Sequence, residues 1–327
     1  MKFTILLFLF SSYSLQLYSQ SNPANWVPVN GDYPFSEIYV GAGFYYDIDV
    51  FTRVGQEIGF NSDGLVYTRA EVKYGNGSWK VLVNNTSGTG LIIDSHPWTQ
   101  PGEYTLTFKL WDEGGDLNTH VRTIFVMPQA TQGYIDNAGN RMIVWGSSSI
   151  IDDPYFLIEG FDPTNDNNEN LYYAGALEFI NPIRSNGGDF IVFQFADGGG
   201  DMFQNAIKVT QGIQYINSLV TSNNSTKVIG VSMGGVIGRY VLAKADEDNV
   251  NLNVSHFISL DAPQTGAILD SDFLDWVKFQ QPNNPGLNSQ ASKQLLRYNP
   301  FDGSNNTYQN FYQNLNTINT AVKYRNI

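Results

Sequence analysis

The sequence predicts two folds in succession, a β-sandwich followed by a mostly parallel α/β sheet wound with helices. Three observations carry that expectation. Between residues 34 and 127, short runs of β-branched and aromatic residues are separated by turn residues. Beyond residue 140 the text changes to strand-like and helix-like segments in alternation. Within that second part, residues 226–235 read Thr-Lys-Val-Ile-Gly-Val-Ser-Met-Gly-Gly, a glycine-bracketed serine between a β-branched run and a helical one.

The N-terminus comes first. Met1-Lys2 carries one positive charge, residues 3–10 form an apolar run, and residues 11–20 taper into polar and small side chains. This is the pattern of a secretory signal peptide, with cleavage expected near Ser19 or Gln20. The apolar run is far shorter than the roughly 20 residues that a spanning helix needs, so no stable membrane anchor is expected. The protein is therefore read as secreted or displayed at the cell surface. The 327-residue chain has no cysteine, which excludes disulfides and a lipid-modified N-terminal cysteine. Export without disulfides points to a bacterial source. The net charge is −13 with no basic run, so nucleic acid is excluded as a partner.

Residues 21–130 are assigned to the sandwich. Segments 36–48, 57–60, 68–73, 80–83 and 105–110 read as strands, with Gly41, Gly64, Gly75, Gly77, Gly88, Gly90 and Gly114 at the turns. Tyr74-Gly75-Asn76-Gly77-Ser78, His96-Pro97-Trp98, Pro101-Gly102-Glu103-Tyr104-Thr105-Leu106-Thr107 and Thr123-Ile124-Phe125-Val126 together resemble the polycystic-kidney-disease-type immunoglobulin-like module. The resemblance implies a spacer, or an accessory that contacts carbohydrate or protein. His96 and His120 fall inside it as turn or strand-end residues. No His, Asp or Glu cluster has metal-ligand spacing, and no metal or cofactor is expected.

Residues 128–139 read as the linker and the entry to the second domain, and 131–327 as the α/β domain. Strands are expected at 141–145, 155–159, 190–195, 227–231 and 256–260, with helices at 171–184, 202–221 and 233–246. Such alternation places ligands at the carboxyl ends of the parallel strands. Ser232 falls at one of those ends.

Gly230-Val231-Ser232-Met233-Gly234 has the spacing of a nucleophile elbow. The serine must sit on a sharp strand-to-helix turn, in strained backbone at positive φ, so that its hydroxyl projects above the sheet. Side chains two positions either side would collide, hence the glycines. The following helix aims unsatisfied N–H groups at any oxyanion that forms there. The competing reading is a glycine-rich helix entry with a capping serine.

Three more segments bring out a second resemblance. Phe156-Leu157-Ile158-Glu159-Gly160-Phe161-Asp162-Pro163 ends a hydrophobic strand in a glycine turn. Ile258-Ser259-Leu260-Asp261-Ala262-Pro263-Gln264-Thr265-Gly266-Ala267 follows the next strand, and Asn288-Ser289-Gln290-Ala291-Ser292-Lys293-Gln294-Leu295-Leu296 reads as a helix. With the elbow, these resemble an α/β-hydrolase of the lipase/esterase kind. The resemblance implies a carboxylic-ester hydrolase working through an acyl-enzyme on Ser232, with the backbone N–H groups of Phe161 and Met233 as the oxyanion hole. Its substrate would be an ester, lipid- or glycan-linked. Glu159 and Gln264 stand where such enzymes often carry histidine.

A serine nucleophile needs a histidine base and an orienting carboxylate. His256 alone follows Ser232 in sequence. It lies about five residues before the end of its strand, on the order of 15 Å below the active edge, which excludes it as base. Asp261, at the strand end, is either the triad acid or a loop-capping carboxylate, the other option being an acid further downstream. Residues 321–327 read as a strand just beginning, so the histidine is expected beyond Ile327 and the domain is expected to be incomplete. The alternative is a non-catalytic surface or adhesion protein with a degenerate hydrolase fold, binding glycans or proteins. The 197–201 segment (Asp-Gly-Gly-Gly-Asp) is either a rim of the substrate site or a mobile linker. The acidic 162–170 run lacks EF-hand offsets and reads as solvated loop. Met202, Phe203, Phe273, Leu274, Trp276, Val277 and Phe279 are read either as core or as the lining of an acyl pocket or lid.

Overall fold

The computed structural model describes residues 26–29, 39–41, 50–53, 58–61, 66–88, 91–94, 102–127, 130–146, 148–165, 177–303 and 306–318. The signal-peptide segment, His96 and the 321–327 strand expectation lie outside these residues. In chain order the strands are β1 (Val27–Val29), β2 (Tyr39–Gly41), β3 (Val50–Arg53), β4 (Ile58–Asn61), β5 (Tyr67–Tyr74), β6 (Lys80–Gly88), β7 (Leu91–Asp94), β8 (Gly102–Asp112), β9 (Leu117–Met127), β10 (Gln132–Ile135), β11 (Arg141–Trp145), β12 (Pro154–Ile158), β13 (Asp189–Gln194), β14 (Thr226–Val231) and β15 (Val254–Leu260). The helices are α1 (Leu177–Ser185), α2 (Met202–Leu219), α3 (Met233–Glu247), α4 (Ser271–Gln280), α5 (Gln290–Leu295) and α6 (Asn306–Thr317).

The chain divides into two compact units. One, made of residues 31–129 together with 167–178, holds the immunoglobulin-like sandwich: a three-stranded sheet in the order β2-β4-β7 and a five-stranded sheet in the order β3-β9-β8-β5-β6. Strict alternation along β8 sends Leu106, Phe108 and Leu110 to one face, where they pack with Ala70, Val72 and Val126 in a buried cluster.

The other unit is the α/β-hydrolase-type sheet, in the order β1-β10-β11-β13-β12-β14-β15. β13, β12, β14 and β15 run parallel, while β1, β10 and β11 are antiparallel additions. β13 (DFIVFQ) is buried at every position, as a strand covered on both faces must be. On one side α2 buries Met202, Ala206, Val209, Ile213 and Ile216, the inward stripe of its 3.6-residue period.

The expected boundary at 131 lies one residue from the observed division, but the start of the sandwich at 21 needs correcting. β1 pairs with β10, Val27 opposite Ile135 and Val29 opposite Gly133, and Trp26 is buried against Phe193 and Tyr215 of the hydrolase unit. Those residues belong to the α/β sheet, not to the sandwich. Within 128–139, read as linker and entry to the second domain, the entry is β10. It folds back on β11 through a turn in which Asp136 Oδ1 accepts the N–H groups of Ala138 and Asn140, each at 2.9 Å.

Candidate active site

β14 ends at Val231 and α3 begins at Met233, leaving Ser232 alone to make the turn. Its backbone sits at φ 50°, ψ −119°, a conformation that L-residues adopt only when their surroundings force it. The forcing contacts are visible at three glycines. A Cβ on Gly230 would lie 2.5 Å from the Gly234 oxygen and the Gly235 Cα, so strand end and helix start touch directly. One on Gly234 would lie 2.4 Å from the backbone oxygens of Ile158 and Glu159, where α3 abuts the end of β12. One on Gly235 would lie 2.5 Å from Ala262 Cβ, against the loop after β15. Gly230 and Gly234 were legible from spacing; Gly235 was not singled out, although the adjacent glycine pair was the signal. Ser232 occupies the N-cap position of α3, but its side chain makes no capping hydrogen bond, so the capping-serine reading loses its physical basis.

Parallel pairing brings the ends of the two strands that precede the candidate oxyanion donors to one edge of the sheet. Ile158 of β12 is in register with Gly230 of β14. Phe161 and Met233 each stand three residues beyond that pair, at the same carboxyl edge. Met233 is the first residue of α3, whose leading N–H groups have no partner within the helix.

The Phe161 turn is built rigidly. Glu159 is 1% exposed; its Oε1 accepts the Phe195 N–H, and its own N–H donates to Phe193 O at 3.2 Å. Further along, Gly198 N–H donates to Asn165 Oδ1 at 2.7 Å, and Gly198 bridges Asp162. A Cβ on Gly198 would lie 2.5 Å from Asp162 O. The turns after β12 and β13 are thus stitched together, and Glu159 is a strut between them. The sequence offered no local sign of that strut, because its partner is 36 residues away.

The 197–201 segment is tied down by hydrogen bonds rather than being a free linker. Asp201 caps α2, its Oδ1 accepting the N–H groups of Phe203 at 2.9 Å and Gln204 at 3.1 Å. Asp162 Oδ1 accepts from the Thr164 N–H and hydroxyl, forming a closed turn. Among the described residues, no three His, Asp or Glu side chains are grouped to hold a metal.

The loop after β15 is pinned at the same edge. Ser232 N–H donates to Leu260 O at 2.9 Å, so Asp261, the next residue, stands beside the serine at the sheet edge. Asp261 is exposed and at φ 44°. Gln264 Nε2 donates to Gly235 O and Ser259 Oγ, and Arg239 Nη1 donates to Gln264 O. From α6, Tyr312 and Tyr308 donate their hydroxyls to Pro263 O and Thr265 O, both at 2.8 Å. Burial pushes the Tyr312 phenol well above its ordinary range, which keeps it a donor. Gln264 therefore works as a loop clamp in the position where a histidine was noted to be usual.

His256 pairs in register with Lys227, five positions before Ser232, or about 16 Å along the strand. It is exposed, with Nδ1 3.1 Å from Ser255 Oγ. Distance excludes it as a base for Ser232. Of the apolar residues considered for an acyl pocket, Met202 is buried and Phe203 packs on Tyr240 and Phe311, so both belong to the core. Leu274 is buried, while Phe273, Trp276 and Phe279 of α4 are exposed.

Residues 191–326 match the family model of palmitoyl protein thioesterase. No curated protein matches the chain. Among solved structures, the esterase Est1E from Butyrivibrio proteoclasticus is 14% identical with a TM-score of 0.31, over 39% of this chain and 48% of that one. Candida antarctica lipase A is 10% identical with a TM-score of 0.32, over 67% and 50%. The PKD domain of an M14-like peptidase from a Thermoplasmatales archaeon is 18% identical with a TM-score of 0.17, over 23% and 86%. The chain spans about half the length of the two hydrolases. The second unit has an α/β-hydrolase-type fold, of which residues 191–326 are similar to palmitoyl protein thioesterase.

Proposed function

We propose that the protein is an exported acyl-ester hydrolase in which Ser232 is the nucleophile. The observation that carries this reading is the strained φ and ψ of Ser232 at the carboxyl edge of a parallel sheet, enforced by three glycines and unexplained by capping. Ser232 Oγ attacks the acyl carbon, the N–H groups of Phe161 and Met233 receive the tetrahedral oxyanion, and the alcohol or thiol leaves. Water then hydrolyses the acyl-enzyme. The thioesterase family match supports an acyl ester or thioester as substrate. The base is a residue other than His256, since that side chain is too far away. The hydrogen bond from Ser232 N–H to Leu260 O, beside Asp261, supports Asp261 as the orienting acid.

The distance of His256 from Ser232 favours a second reading, a binding protein that keeps the fold without the chemistry. One experiment separates the two. The gene product, expressed through its natural stop codon, is assayed on p-nitrophenyl butyrate and palmitoyl-coenzyme A. The hydrolase reading expects turnover that falls at least about 10³-fold in Ser232→Ala. No turnover by the wild type, or equal turnover by the variant, overturns it.

A further inference from the structure

The outer face of the five-stranded sandwich sheet carries a charge pattern at odds with the acidic chain. Cross-strand register lays it out in rows. Lys73 stands opposite Thr107, and Thr107 opposite Val121. In the next row Val81, Glu71, Lys109 and Thr119 stand side by side. In the third, Asn84, Arg69, Trp111 and Leu117 do so. These positions alternate with the buried Ala70, Val72, Phe108 and Leu110, so they share the face turned away from the sandwich core.

Three cations therefore meet one carboxylate. Glu71 is committed to Arg69, whose guanidinium also lies 5.0 Å from the Trp111 ring centroid. Lys73 and Lys109 are paired with no carboxylate among the described residues. Instead, both ammonium groups lie over the Trp79 ring, at 5.3 and 4.1 Å from its centroid. The two nitrogens are thus within about a Debye length of each other, roughly 10 Å at 0.1 M salt. The indole offsets their mutual repulsion by cation–π attraction but adds no negative charge. An incoming anion gains from both at once.

We propose that this face binds an anionic polysaccharide, its carboxylates or sulfates at Lys73 and Lys109 and its sugar rings along Trp79 and Val81. Charge complementarity selects the anion. The exposed Trp79 edge, the exposed Val81 and the neighbouring Thr107, Thr119 and Asn84 supply the mixed apolar and hydroxyl-pairing surface that sugar rings use. An acidic protein segment would use the cations but not this surface.

The test is affinity electrophoresis of the full chain in native gels containing polygalacturonate, dextran sulfate, unmodified dextran or poly-glutamate. Retardation by polygalacturonate or dextran sulfate is expected, and which of them binds tighter identifies the carboxylate or sulfate source. Dextran should not retard, and poly-glutamate should bind at least tenfold more weakly than the better polysaccharide. Lys73→Ala with Lys109→Ala should weaken binding at least tenfold, as should Trp79→Ala. Lys109→Gln alone, the variant least able to perturb folding, should weaken it severalfold, and Lys293→Ala should leave it unchanged. No retardation by either anionic polysaccharide, equal retardation by dextran, or full binding by a variant whose melting curve is unaltered overturns the proposal. Poly-glutamate binding as tightly as the polysaccharides overturns it in favour of an acidic protein partner.

Discussion

At Ser232 stability and chemistry pull in opposite directions. Its backbone conformation costs an L-residue on the order of 1–3 kcal/mol, which glycine avoids. Glycine gives back roughly 0.5–1 kcal/mol through the entropy of the unfolded chain. Ser232→Gly should therefore unfold at higher urea than wild type, by about 1 kcal/mol, whereas Ser232→Ala keeps the strain and should stay close to wild type. Equal urea midpoints for the two variants would show that the strain is not held at this residue. A second residue, Asp189, is 1% exposed; its Oδ2 accepts the N–H groups of Asp152 and Asp153, while Oδ1 has no partner among the described residues. Burial raises its pKa above the ordinary 3.8, outweighing those two hydrogen bonds. The folded state then binds the proton more tightly than the unfolded one. Stability from this group falls as pH rises from the unfolded value through the raised folded one. Asp189→Asn, neutral throughout, should gain on wild type in urea titrations as pH goes from about 4 to 7, with no gain if the carboxyl titrates normally.

Among the elements, α2 shows what sequence can and cannot reveal. Its inward stripe is a local pattern and was read; the Asp201 cap is equally local, but the segment holding it was read only as a rim or a linker. Its tie to α5 was not: Asp201 Oδ2 accepts from Gln294 Nε2 at 2.9 Å, and Gln294 Oε1 accepts the Met202 N–H at 2.7 Å. The partners are 93 residues apart, and Gln294, 2% exposed, looks like any surface glutamine in the sequence. Asp201→Ala should cost about 2 kcal/mol, because it removes both the cap and the tie. Asp201→Asn, which keeps a cap acceptor, should cost less. A double-mutant cycle with Gln294→Ala should show coupling of about 1 kcal/mol, and strict additivity would mean that cap and tie are independent. β10 escaped for the opposite reason. Gln132-Gly133 carries no strand pattern, and only pairing on both sides, with β1 and β11, makes it a strand. The elbow was legible because its chemistry is compressed into five residues. The Glu159 strut and the Gln264 clamp were not, because each depends on partners that only the folded sheet brings near.

For the molecule as a whole, the order of the strands changes what the sandwich is. The α/β sheet begins with β1, the chain leaves for residues 31–129, and it returns as β10 to pair antiparallel with the strand it left. Val29 faces Gly133, so a tight turn joining the ends of β1 and β10 would close a hairpin. The sandwich is thus an insertion at a hairpin loop rather than a preceding bead on a string. Replacing residues 31–131 with Asn-Gly should leave the α/β unit folded, with one cooperative transition and a smaller denaturant slope, since less surface is exposed on unfolding. Residues 31–129 should fold by themselves around Phe108, Leu106 and Leu110. A simple truncation to 131–327 should fare worse than the hairpin-closed chain. It loses β1, which leaves β10 an unpaired edge. It also loses Trp26, which stacks on Tyr215 and meets Phe193 edge-on. Removing so buried an aromatic costs on the order of 3 kcal/mol. Thermal melts of the two shortened chains, followed by circular dichroism at 222 nm, should therefore put 131–327 well below the hairpin-closed form. If the two melt together, β1 contributes nothing to the sheet and the sandwich is an ordinary N-terminal domain; if neither folds, the insertion is required for the sheet that surrounds it.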